Sequence, residues 1–179
     1  DIAFWDIHAL YNLLGICRVS QKARSKRDIE YAFEDFETAF EKDNLGEISL
    51  EALCNYIKLC VEMGRKDSEL LNNMLTSEKM YLQAEKKFSE NDKYLSHGID
   101  LYKYLLKHKE KISVIEKILK SRGLNKSLSS SYITSQMYIN NWKQKDFREF
   151  QKKFSDIFAV FKSKNLAKIS FRRVEPSFM

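Results

Sequence analysis

Apolar side chains recur every three or four residues along most of the chain, which is the spacing of an amphipathic helix. The pattern predicts a first helix over residues 2–17 and a second that begins after Asp28, a residue type that caps helix N-termini well. A third helix is predicted to begin at Ser49. It is expected to end at Gly64, because glycine often follows the last turn of a helix.

The same spacing continues into the second half of the chain. It predicts helices over residues 70–88, 94–106 and 112–119, then a serine-rich connection at 127–131, then helices over 133–142 and 147–161. The last eighteen residues, 162–179, are basic and weakly patterned, as is typical of an extended arm. We therefore predict a helical domain over residues 1–161 and a basic C-terminal arm over residues 162–179.

Composition supports an all-α fold. Five glycines and one proline are too few for the turns that a strand-rich fold of this length needs. An apolar content of 44% argues against a wholly disordered chain. No apolar run approaches the roughly 18 residues of a membrane-spanning helix, so we expect no membrane span.

One segment of the chain resembles another segment 43 residues further on. Residues 9–17, ALYNLLGIC, align with residues 52–60, ALCNYIKLC, and the alignment pairs Asn12 with Asn55. Each segment is followed by a charged connection and a second amphipathic helix, so the repeated unit is a helical hairpin. Such hairpins bury their apolar faces by stacking, which predicts an α-solenoid of stacked helical hairpins.

The segment 32–75 resembles a degenerate pentatricopeptide repeat. The sequences LYNLLGIC, LCNYIKLC followed by GR, and LKSRGL at residues 119–124 are similar to the patterns of that family. The resemblance implies a superhelix that binds single-stranded RNA in an organelle, the mitochondrion being expected, or that has become a structural part of a ribonucleoprotein. Asn12 and Asn55 would then lie toward the concave face. The spacing of 43 residues is longer than that family's repeat, and its boundary proline is absent.

A second resemblance concerns residues 33–60, which look like an EF-hand. Glu41 and Asp43 would occupy the first and third loop positions. However, Leu45 stands at the fifth position and Ala52 at the twelfth, so a ligand oxygen and the bidentate carboxylate are both missing. This alternative is an EF-hand-like protein that does not bind calcium.

Charge is distributed unevenly along the chain. Residues 1–90 hold 12 basic and 17 acidic side chains, a net charge of −5, whereas residues 91–179 hold 19 and 8, a net charge of +11. A basic half of this kind suggests an anionic partner, although a lysine-rich solvated surface is an equally good explanation. The candidate RNA-contacting residues are Arg18, Lys22, Arg24, Lys26, Arg27, Lys143, Lys145, Arg148, Lys152, Lys153, Arg172 and Arg173.

Five phenylalanines follow a helical spacing near the C-terminal arm: Phe147, Phe150, Phe154, Phe158 and Phe161. Aromatic side chains of this kind could stack on single-stranded bases. A single apolar helix face is more typical of a core or of a docking surface. We therefore interpret the series as a packing surface.

Nothing in the chain predicts an enzyme. The phosphate-loop, dinucleotide, nucleophile-elbow and zinc-protease motifs are all absent from the sequence. The cysteines Cys17, Cys54 and Cys60 and the histidines His8, His97 and His108 lack the close spacing of a structural zinc site. We expect no catalytic site, cofactor, metal or small-molecule substrate.

Cysteine usage and the first residue bear on location. Three cysteines without a secretory segment favour a reducing, intracellular compartment over a disulfide framework. The first residue is Asp1 rather than methionine, as expected of a trimmed chain, a fragment, or a mature form that has lost a targeting segment.

Three functional hypotheses remain from the sequence. The first is a non-catalytic helical-repeat protein that associates with RNA or assembles into a ribonucleoprotein. The second is a protein–protein interaction scaffold of the tetratricopeptide type, which binds no nucleic acid. The third is the EF-hand-like protein without calcium.

Overall fold

The computed structural model describes residues 7–63, 71–122 and 126–141, together with residue 152. Seven helices make up the regular structure of these three ranges: α1 (Ile7–Ser20), α2 (Lys26–Lys42), α3 (Glu47–Met63), α4 (Leu71–Phe88), α5 (Asp92–Tyr104), α6 (His108–Arg122) and α7 (Lys126–Ile139). No strand occurs among the described residues, and the predicted all-α class is confirmed.

The chain divides into two compact units, residues 1–106 and residues 107–179. In the first unit α3 is the central helix, because it packs against α1, α2, α4 and α5. Helix α1 also packs against α2, and α4 against α5. In the second unit α6 packs against α7. The predicted start of the C-terminal arm at residue 162 lies outside the described residues.

The N-terminus of α2 differs from the sequence prediction by three residues. Ser25, rather than Asp28, is the capping residue, and α2 begins at Lys26. The Asp28 amide donates a hydrogen bond to Ser25 Oγ (3.1 Å), and the Ser25 amide donates one to Asp28 Oδ2 (2.9 Å). This reciprocal pair is a capping box, in which both side chains satisfy backbone amides that the helix leaves open. Asp28 is therefore part of the cap, but as its third helical residue.

The connection between α2 and α3 is a four-residue turn, residues 43–46. Asn44 and Leu45 have left-handed backbone conformations, with φ of 45° and 64°. Asp43 Oδ2 accepts a hydrogen bond from the Ser49 amide (2.7 Å), and the Ser49 hydroxyl donates to the Phe40 carbonyl (2.9 Å). Asp43 thus caps α3 from the turn, and α3 begins at Glu47, two residues before the predicted start at Ser49.

Helices α2, α3, α4 and α5 all contribute to the core of the first unit. Its largest side chains with almost no exposure include Phe36, Phe40, Leu53, Ile57 and Leu95. Burying an aliphatic or aromatic side chain of this size contributes roughly 1.5–3 kcal/mol. This core holds α3 between its neighbours.

Three tyrosines join α4 to α5. The rings of Tyr81 and Tyr94 are stacked with centroids 4.1 Å apart, and Tyr102 meets Tyr81 edge to face at 5.5 Å. The Tyr94 hydroxyl also donates a hydrogen bond to the Tyr81 carbonyl (2.8 Å). The register between the two helices is therefore set by aromatic packing and by a buried hydrogen bond.

Helix α1 packs against the rest of the first unit with the side opposite its predicted apolar face. Its buried residues are Asn12 and Gly15, and Gly15 lies directly against the Phe36 ring. The leucines of its predicted apolar face point outward, with Leu10 48% and Leu14 46% exposed. Close approach to α2 thus depends on the absence of a side chain at Gly15, while a largely apolar surface faces solvent.

The second unit is held by the α6–α7 contact. Ile115 and Ile133 are buried, and the Tyr132 hydroxyl donates a hydrogen bond to Glu116 Oε1 (3.1 Å). The serine cluster predicted as a connection at 127–131 lies inside α7, and Ser129 is buried. The small side chain of Ser129 is therefore part of the packing of α7, and the cluster does not end a helix.

Among the helices of the described ranges, none combines the length and the apolar character that a membrane-spanning helix requires.

Candidate functional site

A polar network crosses the three odd-numbered helices of the first unit. Asn55 Nδ2 on α3 donates a hydrogen bond to Asn12 Oδ1 on α1 (3.1 Å). Asn12 Nδ2 donates to Glu51 Oε2 (3.4 Å), and the Lys93 ammonium of α5 lies 3.4 Å from Glu51 Oε1. The network therefore connects α1, α3 and α5 through four side chains.

The two asparagines that the internal repeat aligns are thus in direct contact. Asn12 is only 4% exposed, and both ends of its amide group make hydrogen bonds within the protein. A side chain in this state holds helices in register and has little capacity left for an external ligand. Asn55 is partly exposed and is the more accessible of the pair.

The five basic residues predicted near the α1–α2 connection lie on α1, in the turn and in the first turn of α2. Two of them form ion pairs within the protein. Arg18 Nε donates to Asp35 Oδ2 on α2 (2.8 Å), and Arg24 Nη2 donates to Glu62 Oε1 on α3 (2.6 Å). The first of these charge-assisted hydrogen bonds joins α1 to α2, and the second joins the α1–α2 connection to α3.

Tyr31 is the centre of this basic region. The guanidinium carbons of Arg18 and Arg27 lie 5.0 and 5.2 Å from its ring centroid, within the range of a cation–π interaction. Arg27 Nε also donates a hydrogen bond to the Tyr31 hydroxyl (2.8 Å). The ring therefore gathers two cations at one point of the surface.

Three of the five cations remain exposed to solvent, namely Lys22, Lys26 and Arg27. We call this set the cationic turn. Of the candidates predicted in the second half, Lys152 is an exposed helical residue. The others, Lys143, Lys145, Arg148, Lys153, Arg172 and Arg173, lie outside the described residues, as do the five phenylalanines.

A shallow cavity of about 280 Å³ lies between α3 and α5. Its lining residues are Ile57, Lys58, Val61, Glu62, His97 and Asp100. Burial lowers the pKa of His97, whose Nδ1 lies 2.7 Å from the Lys93 carbonyl oxygen. The lining combines the basic side chains of Lys58 and His97 with the acidic side chains of Glu62 and Asp100.

The segment that resembles an EF-hand has a different geometry. Residues 41 and 42 belong to α2, and residues 47–52 belong to α3, so the extended part of the segment has only four residues. An EF-hand loop needs ligands from positions spread over twelve residues. Asp43 Oδ2 already accepts a hydrogen bond from the Ser49 amide, and Asp43 Oδ1 lies 3.5 Å from His8 Nε2. Its carboxylate serves to cap α3.

The cysteines and histidines do not assemble into a metal site in the described ranges, where no group of three metal-binding side chains occurs. Cys17 is exposed, whereas Cys54 and Cys60 are buried. Burial raises the pKa of the Cys54 thiol to about 11 and that of the Cys60 thiol to about 12. The two buried thiols therefore stay protonated at neutral pH and have low reactivity.

Sequence reasoning missed the partners of the predicted basic residues. Tyr31 follows Arg27 at a step of four residues, so helical spacing could have indicated that pair, whereas Asp35 pairs with Arg18 on a different helix. The pairing of Arg24 with Glu62, and of Lys93 with Glu51, joins residues that are far apart in the chain. No local pattern signals those contacts.

Comparison with known proteins gives no match: no protein-family model, no curated protein sequence and no solved structure is similar to this chain.

Proposed function

We propose that the protein is a non-catalytic helical-repeat binding protein that associates with RNA as a component of a ribonucleoprotein. The observation that carries this proposal is the cationic turn, where Lys22, Lys26 and Arg27 are exposed beside the Tyr31 ring. Lysine and arginine neutralise phosphates, and an arginine next to an aromatic ring offers a flat surface for a base. Location in an organelle follows from the pentatricopeptide-like segment alone.

The helix packing supports the repeat part of the proposal. Helices α1, α3 and α5 contact each other in succession, and the residues that the internal alignment pairs, Asn12 and Asn55, form a hydrogen bond between two of them. Contact between equivalent helices of neighbouring hairpins is the arrangement that a stacked array uses to bury its apolar faces.

The ion pairs narrow the set of residues expected to contact RNA. Arg18 and Arg24 are held by Asp35 and Glu62, so we assign them to the structure of the connection. Replacing Arg18 would leave the buried Asp35 carboxylate without its cation and would lower stability as well as charge, whereas Glu62 is exposed and the loss of Arg24 would cost little stability. A test of RNA binding is therefore cleaner with the cationic turn than with all five residues.

The experiment measures the affinity of the intact protein for single-stranded RNA over a range of salt concentrations. The variant K22Q/K26Q/R27Q is expected to bind more weakly and to reduce the slope of log affinity against log salt by about 2, since each phosphate contact to a single strand contributes about 0.7. The matched control is K79Q/K86Q/K87Q on α4, which removes the same charge from another exposed surface. An equal loss of RNA affinity in both variants would mean that only the net charge of the protein matters. No RNA binding by the unmodified protein at low salt would refute RNA association.

A protein–protein scaffold is the second candidate, and a specific observation favours it. Four large apolar side chains on α1 are between 46% and 55% exposed: Ile7, Leu10, Leu13 and Leu14. Isolated exposed leucines are ordinary, but an adjoining group on one helix face is typical of an interaction surface. The calcium-free EF-hand has no comparable support, because its extended segment is too short.

A further inference from the structure

The cavity between α3 and α5 has an apolar floor and a charged rim. Ile57 and Val61 line it one helical turn apart on α3, and Ile57 is buried while Val61 is half-buried. Lys58 of α3 and Asp100 of α5 also line the cavity, and both are exposed. A space of this kind fits a ligand that is apolar in one part and charged in another.

Two of the polar lining residues already have partners within the protein. The Glu62 carboxylate accepts a hydrogen bond from Arg24 (2.6 Å), and His97 Nδ1 lies 2.7 Å from the Lys93 carbonyl oxygen. A carbonyl oxygen only accepts, so Nδ1 carries the proton and Nε2 of the neutral ring is left as an acceptor. Burial lowers the pKa of His97, which favours this neutral form.

Lys58 and Asp100 have no such partner in the part of the chain that the structure describes. Neither side chain forms an ion pair or a hydrogen bond with another described residue. Both charges nevertheless act on the His97 ring: burial has the largest effect on its pKa, and among the smaller effects Lys58 lowers that pKa and Asp100 raises it. Two opposite charges therefore face the same small space without neutralising each other.

We propose that the cavity binds a free amino acid with a branched aliphatic side chain, such as leucine. A free amino acid carries both charges at neutral pH. Its α-carboxylate pairs with the Lys58 ammonium, and its α-ammonium pairs with the Asp100 carboxylate. The aliphatic side chain lies on Ile57 and Val61, where removal of apolar surface from water contributes to affinity.

The size and the charges of the cavity restrict the ligand. Its volume of about 280 Å³ lies just below the roughly 300–1,000 Å³ of sites for drug-sized ligands, so the ligand is a small molecule. A simple carboxylic acid would bring a negative charge to Asp100 with no cation of its own, and a simple amine would leave Lys58 unpaired. A zwitterion satisfies both charges at once. Such a ligand is bound and not converted, which agrees with a non-catalytic protein.

The cavity and the cationic turn are different surfaces, and the inference does not depend on RNA binding. The cavity selects a ligand by two opposite charges and an apolar floor, whereas the cationic turn selects phosphates by positive charge alone. The variants that test one surface leave the residues of the other in place. Loss of amino-acid binding and loss of RNA binding are therefore separate experimental results.

The experiment is an NMR titration of the intact protein with leucine, in which the imidazole resonances of His97 report on the cavity. These resonances are expected to shift and to saturate. Those of His8, which lies beside Asp43 at the opposite end of α3, should stay unchanged. N-acetylleucine lacks the α-ammonium and leucinamide lacks the α-carboxylate. Each should bind about tenfold more weakly than leucine, because each loses one charge-assisted hydrogen bond.

Two variants test the assignment of the two charges. K58Q should weaken leucine binding about tenfold but leave leucinamide binding unchanged, because leucinamide has no carboxylate to pair with Lys58. D100N should weaken leucine binding by a similar factor and leave N-acetylleucine binding unchanged. The matched controls are K103Q and E90Q, which remove the same charges at exposed positions outside the cavity. Circular dichroism checks that all four variants fold.

Several results would overturn the proposal. One is the absence of a saturable His97 shift with leucine. Another is equal affinity for leucine and N-acetylleucine, or for leucine and leucinamide, because the cavity would then bind a single charge. Equal weakening of leucine and leucinamide in K58Q would show that Lys58 shapes the cavity and does not pair with the carboxylate. Comparable weakening in K103Q or E90Q would reveal an effect of net charge.

Discussion

Gly15 marks the closest approach of α1 to α2. A Cβ atom at this position would lie 2.5 Å from Phe36 Cε1 and within 3 Å of two further ring atoms. The Phe36 ring has no exposed surface, so it has no free space into which to move. The absence of a side chain at residue 15 is therefore a packing requirement.

We expect the substitution Gly15→Ala to destabilise the first unit by about 1–2 kcal/mol. Helix propensity favours alanine by up to about 1 kcal/mol, but overpacking in a filled core costs about 1–3 kcal/mol, and the clash dominates. Denaturant unfolding measures the change. In the background of Phe36→Leu, which shortens the opposing side chain, the same substitution should cost clearly less. Stabilisation by Gly15→Ala in the unmodified protein would contradict the packing argument.

At this scale the sequence indicates residue types but not their partners. The pattern of α1 predicts Leu10 and Leu14 on one face, yet apolar periodicity carries no information on whether another element covers that face. Arg18 and Arg24 look like solvent-exposed cations in the sequence. Their carboxylate partners are brought in by the packing of α2 and α3, which a local pattern does not encode.

Helices were easier to predict than their ends. Every helix of the described ranges was predicted from spacing, whereas α2 and α3 begin earlier than expected and α7 includes its serine cluster. The differences have a common cause, because caps at Ser25 and Asp43 and the burial of Ser129 depend on side chains that fold back or pack between helices. Short polar residues fit a cap, a turn and a helix interface equally well.

Titration of His108 should link pH to the stability of the α6–α7 pair. His108 begins α6, and its ring is stacked on Tyr138 with centroids 4.5 Å apart. Burial, with a smaller contribution from the nearby Lys111 charge, lowers the pKa of His108 in the folded state. The unfolded state therefore binds the proton more tightly. This contribution to stability is complete above the unfolded pKa of about 6.5 and is lost as pH falls through that value toward the lower folded pKa.

The expected measurement is a fall in the melting temperature of the second unit between neutral and mildly acidic pH. His108→Phe keeps an aromatic ring for stacking and removes the titration, so it should flatten this dependence. His97 in the first unit also has a lowered pKa, so His97→Phe is the matched control for effects from elsewhere. Identical pH profiles for His108→Phe and the unmodified protein would show that the histidine does not couple to folding.

At the scale of the whole molecule, the all-α class followed from composition and spacing. The sequence predicts one helical domain over residues 1–161, and within the chain the structure distinguishes compact units over residues 1–106 and 107–179. Leu106 there has a left-handed φ of 55° and is 74% exposed. Spacing predicts a helix end at residue 106, close to the observed end of α5 at Tyr104, but it does not indicate which helices share a core.

We expect residues 1–106 to fold on their own, since the most fully buried large side chains of α2, α3 and α5 pack within this unit. A chain of this length can bury enough surface to unfold cooperatively. Leu53→Ala provides the sharpest test, because Leu53 is 0% exposed and its truncation should cost about 2–5 kcal/mol. Denaturant unfolding should show the same loss in the isolated unit and in the first-unit transition of the full chain. Leu82→Ala, at an exposed position, should leave the free energy of unfolding of both proteins unchanged. A helical fragment that melts without cooperativity would mean that the first unit depends on residues after 106 for its core.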